Sequence, residues 1–170
     1  HGPVSLHYDW TWILLINAMR TGDVNFWKLA APAARHRIDV DQHWSDHDLP
    51  EYRGLQRGDR NFPAQHCYRL YVPPTPSKNW LAGVVLYYML TGEPKALACC
   101  RRNAAGIQAA WAAEHTRHGD MAAVAWAISS YLAMYDLTAE KQWLEEALGL
   151  FRTDVVPLWK AQGPFLHDPD

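Results

Sequence analysis

The densest group of residues able to do chemistry lies at positions 39–48, which read DVDQHWSDHD. His43 and His47 are four residues apart, a spacing that suits two zinc ligands if this stretch is helical. An aspartate of the same stretch would then supply an oxygen ligand, but the following Pro50 favours a loop. We therefore predict no resident cofactor, and keep a divalent metal near Asp41, His43 and His47 as the less favoured alternative.

The same residue types also suit proton transfer. Histidine titrates near neutral pH, so it can remove a proton and return it. A tyrosine hydroxyl can donate a proton to a leaving oxygen, and arginine pairs with a carboxylate through two parallel hydrogen bonds. Histidine, tyrosine and arginine beside exposed tryptophan fit a sugar acid. Glycoside hydrolysis by paired carboxylates stays open, with Asp9, Asp41, Asp46, Asp48 and Glu51 as candidates.

Three copies of a helical hairpin must position these residues. Residues 10–30, 80–100 and 126–147 each contain an apolar run, a break and an amphipathic run. The breaks read TGD, TGE and LTAE. Gly22 and Gly92 suit the left-handed residue that ends a helix, so each break predicts a tight turn between two helices.

The helices before and after the breaks differ in apolar pattern. Those before the breaks, at about 8–20, 78–90 and 121–135, are apolar almost all round and must be buried on every side. Those after the breaks are apolar on one face only. Buried and covering helices in alternation predict an all-α fold, either an α/α toroid or an α-solenoid. Links of unequal length favour an arc of about three hairpins from a toroid, as one partial domain over 1–170.

A long link at 40–77 separates the first two hairpins and is rich in proline and glycine. A loop of this length inside a domain is often functional. Up-and-down topology places this loop and the starts of the buried helices at one end, opposite the hairpin turns. We call that end the rim. The candidate site residues predicted at the rim are Tyr8, Asp9, Trp10, His43, Trp44, His47, Arg60, His66, Tyr68 and Trp80.

Composition excludes several classes of function. The formal net charge is -2 and there is no basic tract, which argues against a nucleic-acid partner. No apolar run reaches the roughly 18 residues that span a bilayer. The three cysteines form no disulfide framework, and the adjacent Cys99 and Cys100 are predicted to be small core residues on a helix. A start at His1 suggests a piece of a longer protein; localisation stays open, with a secreted or periplasmic location slightly favoured.

Three phrases carry a family resemblance: HYDWTWILLINAMRTGD, IDVDQHWSDHD and NWLAGVVLYYMLTGEPKAL. They resemble the α/α toroid domain of the exo-acting rhamnogalacturonan lyases, a family of polysaccharide lyases. The pattern W-x-x-G-x-x-x-x-Y-x-L-T-G-[DE] at 80–93 is similar to toroid lyases and six-hairpin glycosidases in general. The resemblance implies β-elimination on an acidic, galacturonate-containing polysaccharide or oligosaccharide.

The resemblance also implies roles, assigned by residue type. Proton transfer would fall to His43, His47 or Tyr8, and carboxylate pairing to Arg60 or His66. Stacking on the sugar would fall to Trp10, Trp44 and Trp80, with Asp9 and Tyr68 as further binding residues. Asn79 departs from the pattern, because many relatives carry histidine before this tryptophan. A six-hairpin glycoside hydrolase and a non-catalytic helical-repeat scaffold remain the alternatives.

Overall fold

The computed structural model describes residues 8–45, 53–56, 79–113 and 121–162, and these residues are mostly helical. In the described links, Gln42 and Gln56 form a single antiparallel bridge. The predicted all-α class is confirmed. The elements are α1 (Trp10–Thr21), α2 (Val24–Asp39), α3 (Ala82–Thr91), α4 (Pro94–Ala113), α5 (Met121–Thr138), α6 (Lys141–Leu150), a π-helical turn (Phe151–Val155) and α7 (Val156–Gln162).

The three breaks form one repeated turn. Gly22, Gly92 and Ala139 adopt left-handed conformations with φ of 69°, 68° and 55°. The N–H of each donates to the carbonyl four residues earlier, which satisfies one open acceptor at the end of the helix. The hydroxyl of the preceding threonine donates back into the helix and accepts the N–H two residues ahead. Those threonines are Thr21, Thr91 and Thr138.

The hairpins lie side by side, with α3 packed between α1 and α5. Helices α2 and α4 contact each other, and α6 packs on α5. The N–H of Gly83 donates to the Asp9 carboxylate, so α1 and α3 begin at the same end. The Trp80 and Trp126 rings lie 5.2 Å apart, which places an early turn of α5 there as well. The three turns therefore lie at the opposite end, as predicted.

Helices α1 and α3 approach closely at a glycine. A Cβ added to Gly83 would lie 2.5 Å from the Trp12 nitrogen and 2.8 Å from the Thr11 Cβ. Neither neighbour is the far end of a flexible side chain, so any larger residue at Gly83 would push the helices apart. The core beside this crossing is aliphatic and aromatic, and its members include Leu15, Val84, Tyr87, Tyr131 and Met134.

The last amphipathic run is interrupted, although its 3,4 spacing predicts a single helix. Val156 N–H donates to the carbonyl of Phe151, five residues earlier, at a π-helical turn. Pro157 has no N–H to continue the hydrogen bonds of an ordinary α-helix, and the wider π-helical turn just before it accommodates the missing donor.

Cys99 and Cys100 are buried on α4, which confirms their prediction as core residues. In the ranges that the structure describes, each helix is too short or too polar to cross a bilayer.

The Gly83→Ala substitution tests the close helix crossing. We expect it to lower the free energy of unfolding by about 1–3 kcal/mol, because the methyl group meets the Asp9 carboxylate and the backbone nitrogen of Trp12. Gly149→Ala is the matched control, since a Cβ there meets nothing within 4 Å. The control should raise stability by up to about 1 kcal/mol through helix propensity. Denaturant unfolding followed by circular dichroism measures both, and equal changes would contradict the crossing.

The Ala139→Gly substitution tests the third turn. Alanine carries a steric cost in the left-handed region that glycine avoids, so we expect the variant to be more stable by about 1 kcal/mol. The exposed helical Ala98 provides the control, because Ala98→Gly should destabilise by about 1 kcal/mol. The same substitution should thus change the free energy of unfolding in opposite directions at the two positions, as measured by thermal or denaturant unfolding. A loss of stability in both variants would show that Ala139 has an ordinary helical conformation.

Candidate functional site

Asp9 ties the starts of α1 and α3 together at the rim. Its Oδ1 accepts the Trp12 N–H at 3.0 Å, and its Oδ2 accepts the Gly83 N–H at 2.7 Å. The side chain is buried, and burial raises the pKa of the Asp9 carboxyl. The two N–H bonds and the positive charge of Arg37 act in the opposite direction on that pKa. Both oxygens of this predicted binding residue are thus engaged by the backbone.

A buried polar cluster lies behind the rim and holds the long link in place. We define the polar cluster as Arg37, Gln42, Gln56, Asn79 and Asn103, all buried. The side-chain amides of Gln42 and Asn103 both donate to the Gly54 carbonyl, at 2.7 and 2.8 Å. The Gln56 N–H donates to Asn79 Oδ1 at 2.7 Å. Residues 53–56 are therefore fixed to α4 and to the segment before α3.

Two glycines allow the link to lie against α4. A Cβ on Gly54, which has a φ of 78°, would lie 2.3 Å from the Arg102 carbonyl oxygen. A Cβ on Gly106 would lie 2.7 Å from the Arg53 carbonyl oxygen. The loop backbone thus contacts the helix backbone with no side chain between them. This contact places residues 53–54 of the long link against α4.

Arg37 places a positive charge inside the polar cluster. Its Nη1 donates to Gln42 Oε1 at 2.9 Å, and the Cys99 thiol donates to the same oxygen at 3.5 Å. Within the described ranges, Nε and Nη2 of Arg37 have no hydrogen-bond partner. Burial raises the pKa of the Cys99 and Cys100 thiols. Both thiols therefore stay protonated and are poor nucleophiles, whereas the guanidinium favours negative charge nearby.

His43 and Asp41 are buried beside the polar cluster. The backbone N–H of His43 donates to Leu55 O, and its carbonyl accepts from Gly54 N–H. Its imidazole is buried, so contact with a substrate would require the surrounding residues to move. The Asp41 carboxylate lies 3.1 Å from Nδ1 of the half-exposed His36. Among the described residues no three His, Cys, Asp or Glu side chains are grouped to hold a metal.

The predicted stacking residues separate into exposed and buried groups. Trp10 is 51% exposed, and Tyr8, a residue predicted for proton transfer, is 63% exposed on the other side of Asp9 in the chain. Trp80 is buried against Trp126 and forms part of the packing instead. Trp44 is partly buried, its Nε1 donates to Ile38 O at 2.6 Å, and the Lys95 ammonium lies 5.7 Å from its ring centroid. Tyr8 and Trp10 are thus the accessible aromatic pair.

The structure brings only part of the predicted set together. Asp9, Trp80 and His43 all lie at the rim in buried positions, whereas Tyr8 and Trp10 lie on its surface. Four predicted residues lie outside the described residues, and they are His47, Arg60, His66 and Tyr68.

Sequence reasoning missed Arg37 and Asn103. Each is a polar residue on a stripe of buried small residues, Arg37 with Ala34 on α2 and Asn103 with Cys100 on α4. A polar side chain within an apolar stripe at helical spacing is the signal that would have found both.

The His36–Asp41 pair generates a prediction about pH. The hydrogen bond to Asp41 raises the pKa of His36 above its ordinary 6.5. The pair therefore stabilises the fold fully below pH 6.5, and this contribution is lost as the pH rises through the raised value. We expect Asp41→Asn to return the pKa of His36 towards 6.5 in an NMR titration. Asp39→Asn is the control, because Asp39 pairs with Lys95, and it should leave the titration unchanged.

Comparison with known proteins adds no family assignment. No protein-family model matches the sequence, and no curated protein or solved structure matches it significantly. The resemblance to the lyase family therefore stays a prediction that rests on the three phrases quoted above.

Proposed function

We propose that this chain is the helical part of a polysaccharide lyase that acts on a uronic-acid-containing, pectin-like polymer. The observation that carries the proposal is the exposed aromatic pair Tyr8 and Trp10 at the rim. Pyranose rings present C–H faces that stack on aromatic side chains, and Trp10 offers such a face two residues after Tyr8 in the chain. The proposal includes the arrangement of the hairpins as an arc of an α/α toroid whose rim carries the site.

The chemistry assigned to the site is β-elimination. A base removes the C5 proton of the uronate, a C4–C5 double bond forms as the C4–O4 bond breaks, and an acid protonates the departing O4. A positive group beside the carboxylate lowers the energy of the carbanionic transition state. Of the described candidates for proton transfer, Tyr8 is exposed and His43 is buried. Tyr8 is therefore the better placed of the two to touch substrate and donate the proton to O4.

The electrostatics of the rim support an acidic substrate. Arg37 carries a buried positive charge, and the two nearby carboxylates are engaged by other groups. Asp9 is bound by two backbone N–H groups, and Asp41 by His36. Neither of these carboxylates faces solvent, and the exposed Asp39 at the end of α2 is paired with Lys95, so the described part of the rim offers little repulsion to a polyanion. Hydrolysis by two facing carboxylates gains no support from Asp9 and Asp41, which are both buried in structural contacts.

The proposal is tested by incubating the chain with polygalacturonate and with rhamnogalacturonan. We expect an absorbance rise from the unsaturated uronate product. Tyr8→Phe should lower kcat by about 100-fold, because it removes the proton donor but keeps the ring. Trp10→Ala should raise KM by about tenfold, which corresponds to roughly 1.4 kcal/mol of lost stacking. Trp159→Ala is the matched control, since Trp159 is equally exposed but lies on α7.

Three other results would replace the proposal. Reducing sugar released without an unsaturated product would identify a glycoside hydrolase. Oligosaccharide binding without any cleavage would identify a non-catalytic scaffold. Equal effects of Trp10→Ala and Trp159→Ala on KM would remove Trp10 from the site.

A further inference from the structure

We propose that a second copy of this chain docks head to tail, with the open side of α1 in one copy against the open side of α5 in the other. Helix α3 packs against α1 on one side and α5 on the other, so a hairpin in the middle of the row is covered on both sides. The hairpins at the two ends of the row each lack one such neighbour among the described residues. Because the hairpins repeat one architecture, these two free sides are the counterparts of the sides that α3 covers within the chain, with Ile13 in place of Gly83 on the α1 side.

The side that faces the preceding hairpin can be followed through one repeated position. Ile13, Gly83 and Ser130 occupy the same position relative to the turn residues of their hairpins. Gly83 packs against α1, and Ser130 Oγ donates to the Asn79 carbonyl at 3.3 Å, just before α3. Both are buried, whereas Ile13 is 38% exposed. Isoleucine thus lies at a position that the other two hairpins use for contact with a neighbour.

On the side that faces the following hairpin, the exposed residue lies in the last hairpin instead of the first. Leu15, Val85 and Leu132 share a second repeated position. Leu15 is fully buried and Val85 is 4% exposed, and both belong to the core. Leu132, in the last hairpin, is 40% exposed. The residue at this position is therefore exposed only in the last hairpin, where no further hairpin follows in the described chain. Leu132 thus presents to solvent the surface that Leu15 and Val85 use for packing inside the chain.

Size and charge on the two open sides are complementary. The α1 side carries the exposed, bulky Trp12 and Ile13, and the α5 side carries the small, exposed Ala122 and Ala125. Bulky side chains pack into a surface of small ones, much as Gly83 receives α1 within the chain. Arg20 is exposed in the last turn of α1, and Asp136 is exposed in the last turn of α5.

The register of the hairpins brings these two charges together. The three turns lie at one end, so a neighbouring copy in the same register places Arg20 and Asp136 at the same height. Opposite charges at that height favour the head-to-tail contact, whereas α1 against α1 or α5 against α5 in the same register would pair like charges. The contact is heterologous, so repeated contacts give a ring if the rotation closes and a row if it does not.

The test is the mass of the full chain by sedimentation velocity and light scattering over the micromolar range. We expect assembly that increases with concentration. Ile13→Glu and Leu132→Glu should each weaken association by at least about tenfold. An equimolar mixture of the two should form a 1:1 heterodimer, because each copy keeps the surface that the other has lost. Met89→Glu is the matched control, since Met89 is exposed on α3 near the turns and should leave association unchanged.

The outcomes separate the proposal from its rivals. A wild-type chain that stays monomeric throughout would overturn it, and so would a mixture that stays monomeric. Loss of association in Ile13→Glu with wild-type behaviour in Leu132→Glu would indicate an α1–α1 contact and overturn it too. If either variant unfolds by circular dichroism, Arg20→Glu and Asp136→Arg serve instead. Each alone should weaken association, and the mixture should restore it because one contact regains opposite charges and the other is native.

Discussion

One buried carboxylate holds together the starts of the first two hairpins. The carboxyl group of Asp9 accepts N–H groups from the first turn of α1 and from the start of α3, so it satisfies donors of two helices that have no partner within their own helix. Desolvation of the carboxylate opposes this arrangement and raises its pKa, while the two N–H bonds and the charge of Arg37 oppose the rise. Gly83 makes the arrangement possible, because any side chain there would occupy the space of Asp9 and Thr11.

The rest of the rim depends on that shared end. Once α1 and α3 start together, Asn79 lies where it can accept the Gln56 N–H, and Asn103 on α4 can bind both Asn79 and Gly54. Buried polar groups are costly unless they are paired, so the described link is held at these points. Tyr8 and Trp10 flank Asp9 in the chain, so the two contacts of Asp9 fix the segment that carries them.

Sequence predicted the parts of the fold that depend on local chemistry. The turns at Gly22 and Gly92 follow from glycine at a left-handed position, and the third turn was found by its repeat although Ala139 lacks that freedom. Apolar periodicity predicted α1, α3 and α5 as helices buried on every side. That prediction is wrong for α1, whose Trp10, Trp12 and Ile13 are 38–51% exposed, because among the described residues no hairpin packs against that side. The π-helical turn was missed, because Pro157 near a helix start does not by itself specify how the ladder widens.

Burial within the candidate site could not be predicted in the same way. Asp9, His43 and Trp80 are chemically suited to a site, and residue type alone does not distinguish an exposed imidazole or indole from a packed one. Their burial arises from contacts between segments far apart in the chain, such as Asp9 with Gly83 and Trp80 with Trp126. The useful signal was a polar residue at a position where the helical pattern calls for an apolar one. Arg37 and Asn103 interrupt apolar stripes in this way and mark where the fold buries polar groups.

Repetition links the rim to the proposed assembly. Among the described residues, the row of hairpins also leaves an apolar side open on its first and its last hairpin, and water disfavours such surfaces. A copy added in register would place its own Tyr8 and Trp10 beside the start of the neighbouring α5. The aromatic surface would then repeat along the rim at the spacing of three hairpins. Under the proposed function, a polymeric substrate would contact several such surfaces at once, so the local concentration of binding sites would rise without any new contact type.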